Sequence, residues 1–194
     1  TWIQAGVSTP GRKEKVALNL PDGVSLTPVA DKSLEEMLLS GEIDAIMSAH
    51  PPEIFENGGP EIIRLVGDYQ AMEEAYFQET GIFPIMHTMA VKTDVSNAHP
   101  WMLGNLLKAF NAAKNNSVAR AHEMTASRFP IPWAPYFAEQ SAAMFGDDYW
   151  PYGIDDNRVT LDAFLQYSFE QGVCQRRLQV EDLFPKNVLS SFKV

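Results

Sequence analysis

Short apolar runs alternate with helix-forming segments from Trp2 as far as Lys92, and this alternation constrains the fold more than any other feature. The runs cover residues 2–5, 16–20, 24–29, 45–47, 62–66 and 82–91, and turn residues such as glycine and proline separate several of them. Between them, helical spacing predicts one helix that begins at Ser33 and another over residues 68–80. Strands that alternate with helices predict an α/β layer with a mostly parallel sheet.

The helix at Ser33 carries the clearest local signals. Ser33 and Glu36 fit a capping box, in which each residue bonds to the backbone of the other, and Gly41 stands where a C-terminal cap belongs. After Lys92 the pattern becomes helical. Helices are predicted over residues 101–113, 117–127, 134–145, 161–171 and 180–184.

Charge and composition exclude several classes of function. The chain of 194 residues has 25 acidic and 15 basic residues, a net charge of −10, and no basic block, so it is a poor partner for nucleic acid or an anionic membrane. No apolar run approaches the roughly 18 residues of a membrane-spanning helix. Cys174, the single cysteine, permits neither an internal disulfide nor a multi-cysteine metal site.

Three cationic or titratable side chains follow predicted strands. Ligands of open parallel sheets bind beyond the carboxyl ends of the strands, and Arg12, His50 and His87 lie at or near such ends. Arginine matches a carboxylate with two hydrogen bonds, and histidine can transfer a proton near neutral pH. A small substrate bearing carboxylates would suit this set. The alternatives are a solvated loop for Arg12, a backbone-bonded loop histidine for His50, and a hydrogen-bonded core histidine for His87.

The aromatic, turn-rich segment from Gly146 to Gly153 is either a ligand lid or a packed loop. Its adjacent carboxylates, Asp147 and Asp148, would suit a cation, although such pairs are usually only solvated. We predict no metal site. Glycine-rich phosphate loops, zinc-protease motifs and the hydrolase nucleophile motif are absent from the sequence.

Four segments together resemble the 4,5-dihydroxyphthalate decarboxylase family, and the likeness covers nearly the whole chain, from Trp2 to Phe184. They are Glu73–Tyr76, Gly81–His87 (GIFPIMH), Gly146–Gly153 (GDDYWPYG), and Tyr167–Gly172 (YSFEQG) with the Arg177–Leu178 and Glu181–Phe184 that follow. The sequence after Gly41, Glu42-Ile-Asp-Ala, is also similar to a turn of the substrate-binding proteins of ABC transporters, to which that family is related.

The resemblance implies a fold like that of type 2 periplasmic-binding proteins, with two lobes and a ligand cleft between them. Residues 1–82 would form most of the second, α/β lobe. Residues 83–194 would be the largely helical segment that returns to the first lobe, whose N-terminal part is missing from this chain. Because the chain starts at Thr1 without a leader, we expect a cut protein, cytoplasmic unless a signal peptide lies upstream.

The resemblance also implies decarboxylation of a dihydroxylated phthalate to protocatechuate and CO2, without a cofactor. We assign His87 as general acid and base and Arg12 and His50 as carboxylate anchors. The further predicted substrate contacts are Ser48, Tyr76, Phe83 and Trp150. At His50 we expect the family to carry arginine, so the precise substrate is open.

Two alternatives remain open. The first is a solute-binding protein without catalysis that delivers a small aromatic or anionic ligand to a permease. The second is a relative of thiamine-pyrimidine synthases on the same fold, although the sequence lacks an iron site rich in histidine and cysteine.

Overall fold

The computed structural model describes residues 1–12 and 17–188. Within these residues the two strands are β1 (Trp2–Gly6) and β2 (Leu26–Ser33). The helices are α1 (Leu34–Leu39), α2 (Glu53–Glu56), α3 (Tyr69–Thr80), α4 (Thr93–Ala98), α5 (Pro100–Ala121), α6 (Ala134–Phe145), α7 (Arg158–Glu170) and α8 (Val180–Leu183). Short 3-10 turns cover Asp155–Asn157 and Lys186–Val188. The chain divides into two compact units, one of residues 1–80 and 166–177 and the other of residues 81–165 and 178–194.

The first unit contains a parallel pair of strands. Trp2 is paired with Leu26 and Gly6 with Ser33, and the register shifts between Gln4 and Gly6. The strand prediction over residues 2–5 is therefore confirmed, whereas the run over residues 24–29 forms a strand that starts later and continues to Ser33.

The capping box at α1 is confirmed. The Glu36 amide donates to Ser33 Oγ at 3.1 Å, and the Ser33 amide donates to Glu36 Oε2 at 2.8 Å. These bonds satisfy two helix-terminal donors that would otherwise lack partners. After the helix, Gly41 has a φ of 77°, the left-handed conformation that glycine adopts without a Cβ penalty.

A close backbone contact holds residues 166–177 in the first unit. The Asn19 amide donates to the Gly172 carbonyl at 2.9 Å. Gly172 has a φ of 75°, and a Cβ there would stand 1.8 Å from the Asn19 carbonyl oxygen. Only glycine fits this position, which explains the glycine that ends the YSFEQG segment.

The core of the second unit packs between α7 and α8. Its buried members are Ile154, Leu161, Leu165 and Val180, with Leu178 and Phe184 against them. The Thr160 hydroxyl on α7 accepts a hydrogen bond from the Phe83 amide at 3.2 Å, which fastens the segment after α3 to this core.

Several local predictions are wrong. Residues 45–47, 62–66 and 82–91 form no strand, because an apolar run becomes a strand only when a neighbouring strand pairs with it, and none does so in the described part of the chain. Of the run over residues 16–20, residue 16 lies outside the described residues and 17–20 are irregular. The helix predicted over 101–113 and the first part of that predicted over 117–127 form one helix, α5, because no proline or glycine interrupts it after Gly104. Residues 122–127 are not helical, since α5 ends at Ala121.

The other helix predictions agree closely with the structure. The spacing over residues 68–80 corresponds to α3, that over 134–145 to α6, and that over 161–171 to α7. None of the described helices combines the length and the apolar character needed to cross a membrane.

Candidate active site

A hydrogen-bond network in the first unit lies just beyond the carboxyl end of β1. Ser8 Oγ donates to Glu35 Oε2 at 2.9 Å and accepts from the Glu53 amide at 3.0 Å. Glu35 also accepts from the Ile54 amide at 3.3 Å, and its own amide donates to the Val7 carbonyl at 2.9 Å. The loop after β1 is thus joined to the N-terminal ends of α1 and α2.

This network places two predicted anchors on neighbouring loops. Arg12 is four residues after Ser8, and His50 is three residues before Glu53. Both side chains are exposed, so both are accessible to an anionic ligand. The Ser48 hydroxyl donates to the His50 carbonyl, which stabilises the turn that leads to α2.

The exposed ring of Tyr76 lies on α3, in the first unit. Its backbone carbonyl accepts a hydrogen bond from Thr80 Oγ1 at 2.7 Å. The structure records no contact between Tyr76 and the other predicted site residues of the first unit within the described ranges.

In the second unit the structure brings two predicted aromatic contacts together. The ring of Phe83 meets that of Trp150 edge to face, with centroids 5.9 Å apart. Phe83 also meets Phe145 at the end of α6, at 5.2 Å. Edge-to-face pairs of this kind stabilise one arrangement of the rings. The cluster fixes the start of the GIFPIMH segment beside the segment from Gly146 to Gly153, called the aromatic loop below.

His87 lies in the irregular stretch that follows Phe83, and its side chain is exposed. The core-histidine alternative for this residue is therefore wrong. Within residues 1–12 and 17–188 no hydrogen bond or ring contact is recorded for His87, so its imidazole is accessible to a ligand. Arg12 and His50 belong to the first unit and His87 to the second, so their convergence on one substrate stays a prediction.

The aromatic loop borders a pocket of about 300 Å³ in the second unit. Four of its lining residues lie on α5, and the others are Phe129 and three aromatic residues of the loop. The lining comprises Lys114, Ser117, Val118, Ala121, Phe129, Tyr149, Trp150 and Tyr152. Burial raises the pKa of the Tyr149 phenol, whose ring lies 6.0 Å from that of His122. Tyr149 therefore remains a neutral hydrogen-bond donor at physiological pH.

Lys114 is the charged residue of this lining. Its ammonium donates to both carboxylate oxygens of Asp148 at 2.6 Å and lies 5.6 Å from the centroid of the Tyr152 ring. The carboxylate of Asp148 is thus engaged by a cation of the chain itself. Among the described residues no group of three or more histidine, cysteine, aspartate or glutamate side chains is placed to hold a metal ion.

Sequence reasoning missed Lys114, Ser8 and Glu35. A signal for Lys114 was present, because it falls on the stripe 103, 107, 110, 114, 118 of α5, where the other members are apolar. A lysine on such a stripe either extends to solvent or has a buried partner. Ser8 and Glu35 gave no comparable signal, since the hydrogen bond between them joins residues 27 positions apart.

The chain is similar in sequence to a class of decarboxylating enzymes. No protein-family model matches it. It is 33% identical over all of its 194 residues to a 4,5-dihydroxyphthalate decarboxylase of Comamonas testosteroni, of which it covers 59%. It is also 33% identical over 79 residues, 40% of the chain, to a 4,5-dihydroxyphthalate decarboxylase of Pseudomonas putida, of which it covers 31%. The resemblance stated from the four segments is confirmed, while the relation to periplasmic-binding proteins stays a prediction.

Proposed function

We propose that the full-length protein is a carbon-carbon lyase that converts 4,5-dihydroxyphthalate, or a closely similar hydroxylated aromatic dicarboxylate, into protocatechuate and CO2. The observation that carries the proposal is the 33% identity along the entire chain to a relative with that name. Because the chain spans 59% of this relative, the proposal concerns the protein that contains the chain.

The reaction requires a proton donor, and its chemistry can proceed without a cofactor. The hydroxyl para to one carboxylate can release electron density into the ring, and the ring carbon that bears this carboxylate then takes up a proton. The bond to the carboxylate breaks, CO2 leaves, and the electron pair of that bond restores aromaticity. A base must accept the hydroxyl proton and return it when aromaticity is restored, an acid must protonate the carbon, and cations must hold the two carboxylates.

The predicted residues supply these groups. His87 would exchange the protons, since its exposed imidazole can both accept and donate one. Arg12 and His50 would hold carboxylates, and their loops are already joined through Ser8 and Glu53. Tyr76, Phe83 and Trp150 would contact the ring, and Ser48 would contact the substrate beside His50. We also propose a two-lobed fold of the periplasmic-binding type, with the ligand cleft between the lobes.

The test is replacement of His87 in the full-length protein. His87→Gln keeps a polar side chain of similar size but cannot transfer a proton, so turnover should fall roughly 100-fold or more, as expected for loss of general acid–base catalysis. The matched control is His99→Gln, an exposed histidine beside the start of α5 that has no assigned role. Its turnover should equal that of the parent.

The assay follows release of CO2 and formation of protocatechuate from 4,5-dihydroxyphthalate. If His87→Gln turns over as fast as the parent, His87 is not the general acid and base. Tight binding of the acid without CO2 release by the parent protein would instead support the solute-binding alternative.

A further inference from the structure

The pocket of the second unit contains an unusual ion pair. The Lys114 side chain is only 5% exposed, whereas that of its partner Asp148 is 55% exposed. A buried ammonium requires a nearby anion, because an unpaired charge that is removed from water strongly destabilises the folded chain. An exposed carboxylate has no such requirement, since water solvates it well. Lys114 therefore depends on the ion pair more than Asp148 does.

This asymmetry means that another anion can replace Asp148. An ammonium has three donors, and within the described ranges no hydrogen-bond acceptor other than Asp148 is recorded for Lys114. If a ligand carboxylate paired with Lys114, Asp148 would turn into solvent at little cost. The segment that carries Asp148 begins at Gly146 and ends at Gly153, with φ of 92° and 102°, so glycine allows its ends to rearrange.

The rest of the pocket suits a single aromatic ring. Its volume of about 300 Å³ is at the lower end of the range for small-molecule sites. Phe129, Tyr149, Trp150 and Tyr152 supply ring faces and edges, and Ser117 adds a hydroxyl. Tyr149 adds a phenol that stays protonated. The lining thus combines aromatic walls with one buried cation.

We propose that this pocket binds an aromatic carboxylate, whose ring stacks among the aromatic side chains and whose carboxylate pairs with Lys114 in place of Asp148. The proposal rests on the proposed function, which supplies the ligand class, and it adds Lys114 to the residues that bind the substrate or the product. Asp148 then occupies the anion position until a ligand enters.

Isothermal titration calorimetry of the full-length protein with phthalate and with protocatechuate tests the proposal, because neither compound has to react. Lys114→Met removes the cation but keeps an unbranched side chain, and the dissociation constant should rise roughly 10-fold or more, the value of one charge-assisted hydrogen bond. The matched control is Lys108→Met, an exposed lysine of the same helix, whose affinity should be unchanged.

Asp148→Asn separates a binding role from a structural one. The amide competes less strongly for Lys114, so the carboxylate ligand should bind roughly threefold or more tightly. A structural pair predicts the opposite, a lower melting temperature with equal or weaker binding. That result in a folded Asp148→Asn variant, or unchanged affinity in Lys114→Met, would overturn the proposal.

The two proposals fail in different ways. If the protein binds both compounds with these responses but releases no CO2 from 4,5-dihydroxyphthalate, the proposed pocket is supported and the proposed decarboxylase activity is refuted. If the protein releases CO2 but neither substitution changes its affinity for the two compounds, the decarboxylase activity is supported and the proposed pocket is refuted.

Discussion

Replacing Gly172 with alanine tests the contact that holds residues 166–177 in the first unit. Gly172 has a φ of 75°, and an added Cβ would lie 1.8 Å from the Asn19 carbonyl oxygen. No real Cβ tolerates that distance, so the backbone must move. The hydrogen bond from the Asn19 amide to the Gly172 carbonyl, now 2.9 Å long, would be lost or lengthened.

The expected destabilisation has two parts. A left-handed backbone costs a residue with a Cβ about 1–2 kcal/mol. Loss of the hydrogen bond adds about 1 kcal/mol, so Gly172→Ala should lower the free energy of unfolding by about 2–3 kcal/mol. With a typical dependence on urea of about 2 kcal/mol per molar, the midpoint of urea unfolding should fall by more than about 1 M.

The matched control is Gly23→Ala in the same unit. Gly23 has a φ of 81°, and no atom lies within 4 Å of the position that a Cβ would take, so only the left-handed backbone is penalised there. Both substitutions also restrict the unfolded chain to a similar degree, and this effect cancels in the comparison. Equal shifts of the urea midpoint for the two variants would refute the close approach of Asn19 to Gly172.

Two further predictions concern the first unit. Ser33→Ala removes the N-cap of α1 and should lower the free energy of unfolding by about 1 kcal/mol, measured by urea unfolding; a variant as stable as the parent would contradict the capping box. Hydrogen bonds from Lys32 and then Ser40 hold the pKa of Glu42 below its ordinary 4.5, so this stabilisation is present above that pH and is lost as the pH falls through the lowered value. Glu42→Gln should therefore reduce the loss of stability between about pH 5 and pH 3, and an unchanged pH profile would exclude the pair as a contributor.

Elements with strong local signals were predictable from the sequence. The capping box of Ser33 and Glu36 uses residues three positions apart, so it can be recognised without knowledge of the fold. The α6 helix likewise follows from its own spacing. The run over residues 82–91 misled because its apolar character resembles a strand, while strand formation depends on pairing with a distant segment.

The candidate site was predictable only in part. The pairing of Phe83 with Trp150 connects two segments that the sequence had singled out separately. Lys114 and Asp148 are 34 positions apart in the sequence. No local sequence pattern predicts which carboxylate forms an ion pair with a given lysine. The sequence therefore identified the aromatic loop but not the cation that the loop covers.

The charge balance shows why a buried cation matters for an anionic ligand. With a net charge of −10, the field of the chain as a whole opposes a dianion, so attraction must come from local groups. An exposed cation about 4 Å from a carboxylate contributes only about 1 kcal/mol where water screens it, whereas a pair near a protein surface with less water contributes about 4 kcal/mol. Arg12 and His50 are exposed, and the Lys114 side chain is almost fully buried. In the proposed exchange the ligand carboxylate replaces Asp148, so the net gain at Lys114 is the difference between the two pairs. A neutral ligand could not make this exchange, so Lys114 should select for a carboxylate, and Arg12 and His50 should mainly guide the ligand on its approach.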